Sequence, residues 1–178
     1  MKKISDIIIE DGTENLTITK KRETVRGIIV KDNKILMVYS KQFLDFTFPG
    51  GGAKLGETHY DSLLRELNEE LGAKEIFNMK PFGYIEEKRF GINMTDSVYL
   101  QTSYYYFVEI DAIGEQNLME REKMHGVEPT WVTIDEAIKQ NLHAINTYHH
   151  HKGMKTVLPR EMIVLEKLKD YLKGLNDA

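Results

Sequence analysis

Along the first fifty residues the apolar positions fall in short β-branched runs; from residue 58 they recur at helical spacing. Residues 24–30 and 34–39 are β-branched and apolar, and Lys31-Asp32-Asn33 between them predicts a hairpin. Residues 46–48 predict a third strand. It runs into Pro49-Gly50-Gly51-Gly52, which reads as a loop able to adopt backbone angles closed to other residues. Thr58 followed by Asp61 is a variant capping box, and Tyr60, Leu63, Leu64, Leu67 and Leu71 form the apolar stripe of the helix it opens. Gly72 is the stop. Residues 82–89 and 97–110 predict further strands, and a polar crossing over residues 111–129 leads to Trp131-Val132. Thr133 and Glu136 form a second capping box that opens a short helix. A last helix over residues 159–173 places Met162, Leu165, Leu168 and Leu172 on one stripe.

Residues 7–9 and 16–18 predict two short strands joined through Asp11-Gly12. Residues 1–21 are therefore read as an N-terminal appendage and 22–178 as one domain, with no internal repeat or Pro/Ser-rich linker.

Composition then narrows the function. The 178 residues include no cysteine, which excludes disulfides and thiolate chemistry and fits a reducing cytoplasm. No apolar run is long enough to span a bilayer, and residues 7–9 are too short for a signal-peptide core. The formal net charge of −4 argues against a DNA-binding module, since such binding rests on neutralising phosphates. Small polyphosphates remain admissible, because a bound cation offsets an acidic site.

Residues 51–73 read GGAKLGETHYDSLLRELNEELGA. On a helix Glu66, Glu69 and Glu70 are related by i,i+3 and i,i+4 steps and share a face, where like charges repel. A divalent cation would turn that repulsion into an all-oxygen coordination site. The stretch resembles the Nudix box, Gly-x5-Glu-x7-Arg-Glu-U-x-Glu-Glu-x-Gly-U with U a bulky apolar residue; Ala73, at the final U, is small.

The resemblance implies an α/β fold, an α/β/α sandwich around a mixed central sheet. It implies a hydrolase of the MutT-like class that uses Mg2+ or Mn2+ to break a diphosphate linkage in a nucleoside diphosphate-X or (d)NTP-like substrate. By resemblance Glu66 and Glu70 are metal ligands, and Glu69 is a further ligand or a residue that steadies the ligands. The carbonyl of Gly50 resembles a ligand position of some relatives, and Arg65 orients the carboxylates. Glu57 is either an anchor for the loop or an extra ligand. The general base is open: Glu66 is a candidate on the helix, and Glu115, Glu120, Glu122 and Glu128 lie in the late loop, where Glu128, three residues before Trp131, leads.

The substrate is less legible. Tyr39, Phe43, Phe46 and Trp131 offer aromatic faces that serve equally as core; Arg22 and Arg26 flank the first hairpin strand and Lys88-Arg89 end a later one. Arg26, Phe46 and Arg89 are the substrate-binding candidates. Pro81 stands too close to the box to match the proline of ADP-ribose hydrolases, and the Lys88-Arg89 region lacks the tyrosine of the diadenosine-polyphosphate branch. His149-His150-His151 reads as an exposed polar segment, since adjacent side chains diverge. A homodimer is compatible with the family. The competing reading is a Nudix-like sensor that binds a nucleotide without turnover. An isomerase of the same fold is disfavoured by the lack of cysteine.

Overall fold

A computed structural model describes residues 1–92 and 96–177; Ala178, the last residue of the expected domain, lies outside the described residues. In chain order the elements begin β1 (Ile8–Ile9), β2 (Lys20–Ile28), β3 (Val30–Lys31), β4 (Lys34–Ser40), β5 (Asp45–Thr47), β6 (Gly50–Gly52) and α1 (His59–Leu71). They continue β7 (Ile76–Phe90), β8 (Val98–Ile110), α2 (Glu120–His125), β9 (Val127–Val132), α3 (Ile134–Thr147) and α4 (Val157–Asn176).

The strands form two sheets. One has the order β1-β7-β8-β2-β6 and is mixed, with β2 parallel to β8 and β1 parallel to β7. In the other, β4 pairs antiparallel with β3, β5 and β9. The expected hairpin is present at its tip, where Asp32 and Asn33 both take positive φ (50° and 60°), the backbone of a primed two-residue turn. Its first strand is interrupted at Ile29, however, so β2 belongs to one sheet and β3 to the other.

Helices cover both faces. Leu63, Leu67 and Leu71 of α1 are fully buried against Val25, Leu36, Val38 and Val108. Val164, Leu165 and Leu168 of α4, with Ala137 of α3, pack against Ile28, Ile35, Met37, Phe48 and Tyr105. The result is the expected α/β/α sandwich, and each buried leucine of these stripes contributes about 1.5–3 kcal/mol. Tyr60, counted in the α1 stripe, is exposed in the first turn.

Three expectations are corrected. Residues 7–9 and 16–18 do not form a hairpin: β1 pairs with β7, and residues 16–18 form no strand. The reason is Glu10, whose buried carboxylate accepts from the amides of Phe90 (2.9 Å) and Gly153 (2.8 Å) and holds the segment to the sheet. The glycines after Pro49 form strand β6, not a loop. The crossing over residues 111–129 contains α2 and the start of β9, so Glu128 is a strand residue.

The interface between the mixed sheet and α4 is unusually polar. Arg160 of α4 donates to Glu87 (3.0 Å) and to Glu161 (2.8 Å), and Gln101 donates to Glu87 (3.0 Å), all buried. Glu161 also accepts from the Phe48 amide (2.8 Å). It is four residues from Leu165 and seven from Leu168, on the stripe itself. Nearby, burial and the charge of Glu161 push the Asp45 carboxyl up to about 7.

Because its pKa is raised in the folded chain, Asp45 binds a proton more tightly folded than unfolded, so the stability it confers at low pH is lost as pH rises from about 4 through 7. Asp45→Asn is expected to raise the melting temperature at pH 8 by on the order of 5 °C and to leave it nearly unchanged at pH 4, measured by thermal unfolding. Equal effects at both pH values contradict the assignment.

Candidate active site

The helix that carries the glutamates starts as its sequence dictates. Thr58 accepts from the Asp61 amide (3.1 Å), Asp61 reaches back to the Thr58 amide, and Gly72 closes α1 with φ 69°. With the leucines buried under the sheet, Glu66 and Glu70 are carried to the edge of α1 beside β6. Both are 8% exposed.

β6 is the surface they meet, and it is made of glycine for steric reasons. A Cβ on Gly51 would stand 2.5 Å from the Glu66 carboxyl carbon, so only a bare backbone admits that carboxylate. Gly50 has φ 137°, and a Cβ there would lie 2.0 Å from the Val25 carbonyl oxygen. The Gly50 amide donates to Glu70 (2.7 Å), and the Gly50 carbonyl accepts from Arg26 Nη1 (3.0 Å). Burial pushes the Glu70 carboxyl up to about 8, against the opposing pull of Arg26 and the Gly50 amide; the charges of Glu66 and Glu122 push the same way as burial.

Arg65 joins the parts. Its Nε and Nη2 donate to the two oxygens of Glu57 (2.7 and 2.9 Å), Nη1 donates to Glu66 (2.7 Å), and Nη2 also donates to the Gly52 carbonyl (3.0 Å). This paired geometry is what guanidinium supplies and ammonium does not. Glu57 further accepts from Ser62 Oγ (2.5 Å) and the Lys54 amide (2.9 Å). The hydrogen bonds from Arg65 hold the Glu57 carboxyl well below the usual range. Of its two expected roles the geometry matches the anchor: both oxygens are engaged in closing residues 54–57 onto α1. Glu69 is different. Its closest cation is Arg65 Nη1 at 3.6 Å, which leaves its carboxylate the least committed of the set.

Other candidates are not brought here. Glu128 pairs with Lys41 (3.2 Å) on β9 with about half its side chain exposed, whereas Glu122 of α2 stands close enough to influence Glu70. Phe46 is buried, with its ring tilted against that of Tyr39 (centroids 4.9 Å apart). Arg89 is 3% exposed, its donors spent on Gln101 and the carbonyls of Phe90 and Gly153. Arg26 alone of the three substrate-binding candidates stands beside the carboxylates. The histidine run is not simply an exposed segment: with Phe43 and Tyr148 it lines a cavity of about 190 Å3, and His150 is half-buried.

Glu66, Glu70 and the Gly50 carbonyl are hard oxygen donors suited to Mg2+ or Mn2+. Among the described residues no three acidic or imidazole side chains form a ready metal set. Magnesium takes one or two carboxylates and completes its shell with water and substrate phosphate.

Comparison with known proteins places this geometry. The sequence matches the family model for the NUDIX domain over residues 20–152, about three quarters of the chain. No curated protein matches. Among solved structures, the chain is similar to a NUDIX hydrolase from Nitrosomonas europaea (20% identity, TM-score 0.56, covering 86% of this chain and 90% of that one). It is also similar to the ORF135 protein of E. coli (21% identity, TM-score 0.49, covering 83% and 91%). A MutT protein from Bacillus halodurans aligns at 18% identity with a TM-score of 0.49, covering 67% and 72%. No helix among the described residues is long and apolar enough to cross a membrane. The chain therefore belongs to the Nudix hydrolase family, whose members generally cleave a nucleoside diphosphate linked to a further group.

Proposed function

We propose that this chain is a Mg2+- or Mn2+-dependent hydrolase that cleaves the diphosphate linkage of a nucleoside diphosphate-X or (d)NTP-like substrate in the cytoplasm. The observation that carries the reading is the convergence of two buried carboxylates, Glu66 and Glu70, on a side-chain-free strand. Burying an acid costs free energy, shown by the elevation of Glu70 to about 8, and a cation at that point offsets the cost.

Glu66, Glu70 and the Gly50 carbonyl would hold the metal, with Glu69 able to join them. A bound cation there screens the phosphates and lowers the pKa of the attacking water. Arg65 keeps Glu66 in place and locks Glu57, and through it the loop, against α1. Arg26, whose Nη1 now occupies the Gly50 carbonyl, is placed to exchange that bond for a substrate phosphate. Glu69, whose closest cation is Arg65 Nη1 at 3.6 Å, is the helix carboxylate with lone pairs left to accept a proton from water, whereas Glu66 accepts a hydrogen bond from Arg65 at 2.7 Å. Glu128, the leading loop candidate, is paired with Lys41 at 3.2 Å.

Purified protein with magnesium or manganese is expected to turn over at least one member of a panel of nucleotide sugars, dinucleotides and (d)NTPs. Glu70→Gln should abolish that turnover without unfolding the chain, as circular dichroism would show. Activity that survives Glu70→Gln contradicts the metal assignment; nucleotide binding without turnover on any panel member favours the sensor. Gly51→Ala offers a second check, because the atoms nearest its Cβ are those of the Glu66 carboxylate. Activity should fall by at least tenfold while the melting temperature moves by no more than a few degrees.

A further inference from the structure

The face of the mixed sheet that carries α4 is only partly covered. Val164, Leu165 and Leu168 are buried there, but Leu172 packs against the core only in part and Leu175 is 58% exposed. Residues paired across neighbouring strands project to the same side, so Ile28, Phe107 and Lys80 share this face. Glu109, two residues beyond Phe107, and its partner Phe77 share it as well. Between these strands and the last turns of α4 runs a groove of about 440 Å3. Its wall is aromatic: the Phe107 ring centroid lies 5.4 Å from that of Phe82 and 5.3 Å from that of Tyr171.

Four large apolar side chains stand out around the groove: Val30, Phe77, Tyr171 and Leu175, each at least 38% exposed. A cluster of this kind marks a contact surface. It does not suit a small molecule, because a ligand pocket encloses most of its occupant, whereas six of the ten residues lining this groove are exposed. An added strand does not suit it either. Asn78 takes φ 51° at a break in the β7-β8 register, and Pro81 follows without an amide hydrogen, so the β7 edge is a poor template. The partner therefore packs on the face.

The charges select the partner. Among the described residues Lys80 has no acidic partner, and Glu109 accepts only from the neutral Asn78 side-chain amide (3.0 Å). A strongly acidic or basic partner would satisfy one of these charges and repel the other. A patch with one uncompensated cation and one uncompensated anion beside an apolar centre matches itself after a half-turn.

We propose that this face is the contact surface of a homodimer, in which two copies related by a two-fold axis set each Leu175 into the other's groove and each Lys80 against the other's Glu109.

The mass of the full-length protein in solution, followed by sedimentation over a dilution series, tests this independently of any activity. Wild type should approach twice the chain mass of 20.7 kDa as concentration rises. Leu175→Gln keeps a helix former at an exposed position but removes an apolar group from both copies, and should weaken association at least tenfold. Lys80→Glu and Glu109→Lys should each weaken it on the order of tenfold, since like charges then face one another twice. The double variant Lys80→Glu/Glu109→Lys restores opposite signs across the axis and should regain the wild-type dimer. Lys139→Glu, the same charge change on an exposed part of α3, should leave association unchanged. A wild type that stays at one chain mass up to about 1 mM overturns the proposal and leaves the face to a different partner. A dimer indifferent to Leu175→Gln, or a double variant no better than the single ones, overturns it too.

Discussion

The site depends on how the backbone from Phe46 to Gly52 is held. Asn141 of α3 binds both the amide and the carbonyl of Phe46, and Glu161 of α4 binds the Phe48 amide. Gly27 of β2 donates to the Pro49 carbonyl, Glu70 of α1 accepts from the Gly50 amide, and Arg65 donates to the Gly52 carbonyl. Buried backbone groups must be paired, and here the partners come from three helices and a neighbouring strand. A segment whose last three residues carry no side chains thereby acquires a defined path.

That path orders the electrostatics. Glycine lets Glu66 close in from one side and Arg22 from the other, separated only by the thickness of one strand. Arg65 links the carboxylate side to the loop, and Arg26 links the arginine side to the Gly50 carbonyl. The buried network around Arg160 and Glu161 supports the strand from below. Because removing one partner of such a buried pair strands the other charge, at about 3–5 kcal/mol, the network resists change although its net stabilisation is small.

The helix was legible because its information is local. Thr58, Asp61, the leucine stripe and Gly72 act within a few residues of one another, and all but Tyr60 of the expected stripe took the expected side. The turn at Asp32-Asn33 was legible for the same reason. β6 was not, because three glycines carry no strand propensity and pair only when β2 offers a partner. Glu10 and Glu161 were missed because a buried carboxylate looks like a surface one until its distant donors are known. Glu161's place on the α4 leucine stripe was the one available signal. The burial of Arg89 and Phe46 was missed for the converse reason: a cation at a strand end and an aromatic near a glycine run both lie in the interior.

By itself, the sequence determined the layout of the glutamate helix: which carboxylates share a face, where the helix begins and ends, and the family that spacing belongs to. Only the tertiary structure decided their separate surroundings, because those depend on contacts between residues far apart in the chain. Folding tied Glu57 to Arg65, buried Glu70 against Gly50 and paired Glu128 with Lys41. Helix periodicity is written within a dozen residues; the pairing of a charge is settled by whatever the rest of the fold brings beside it.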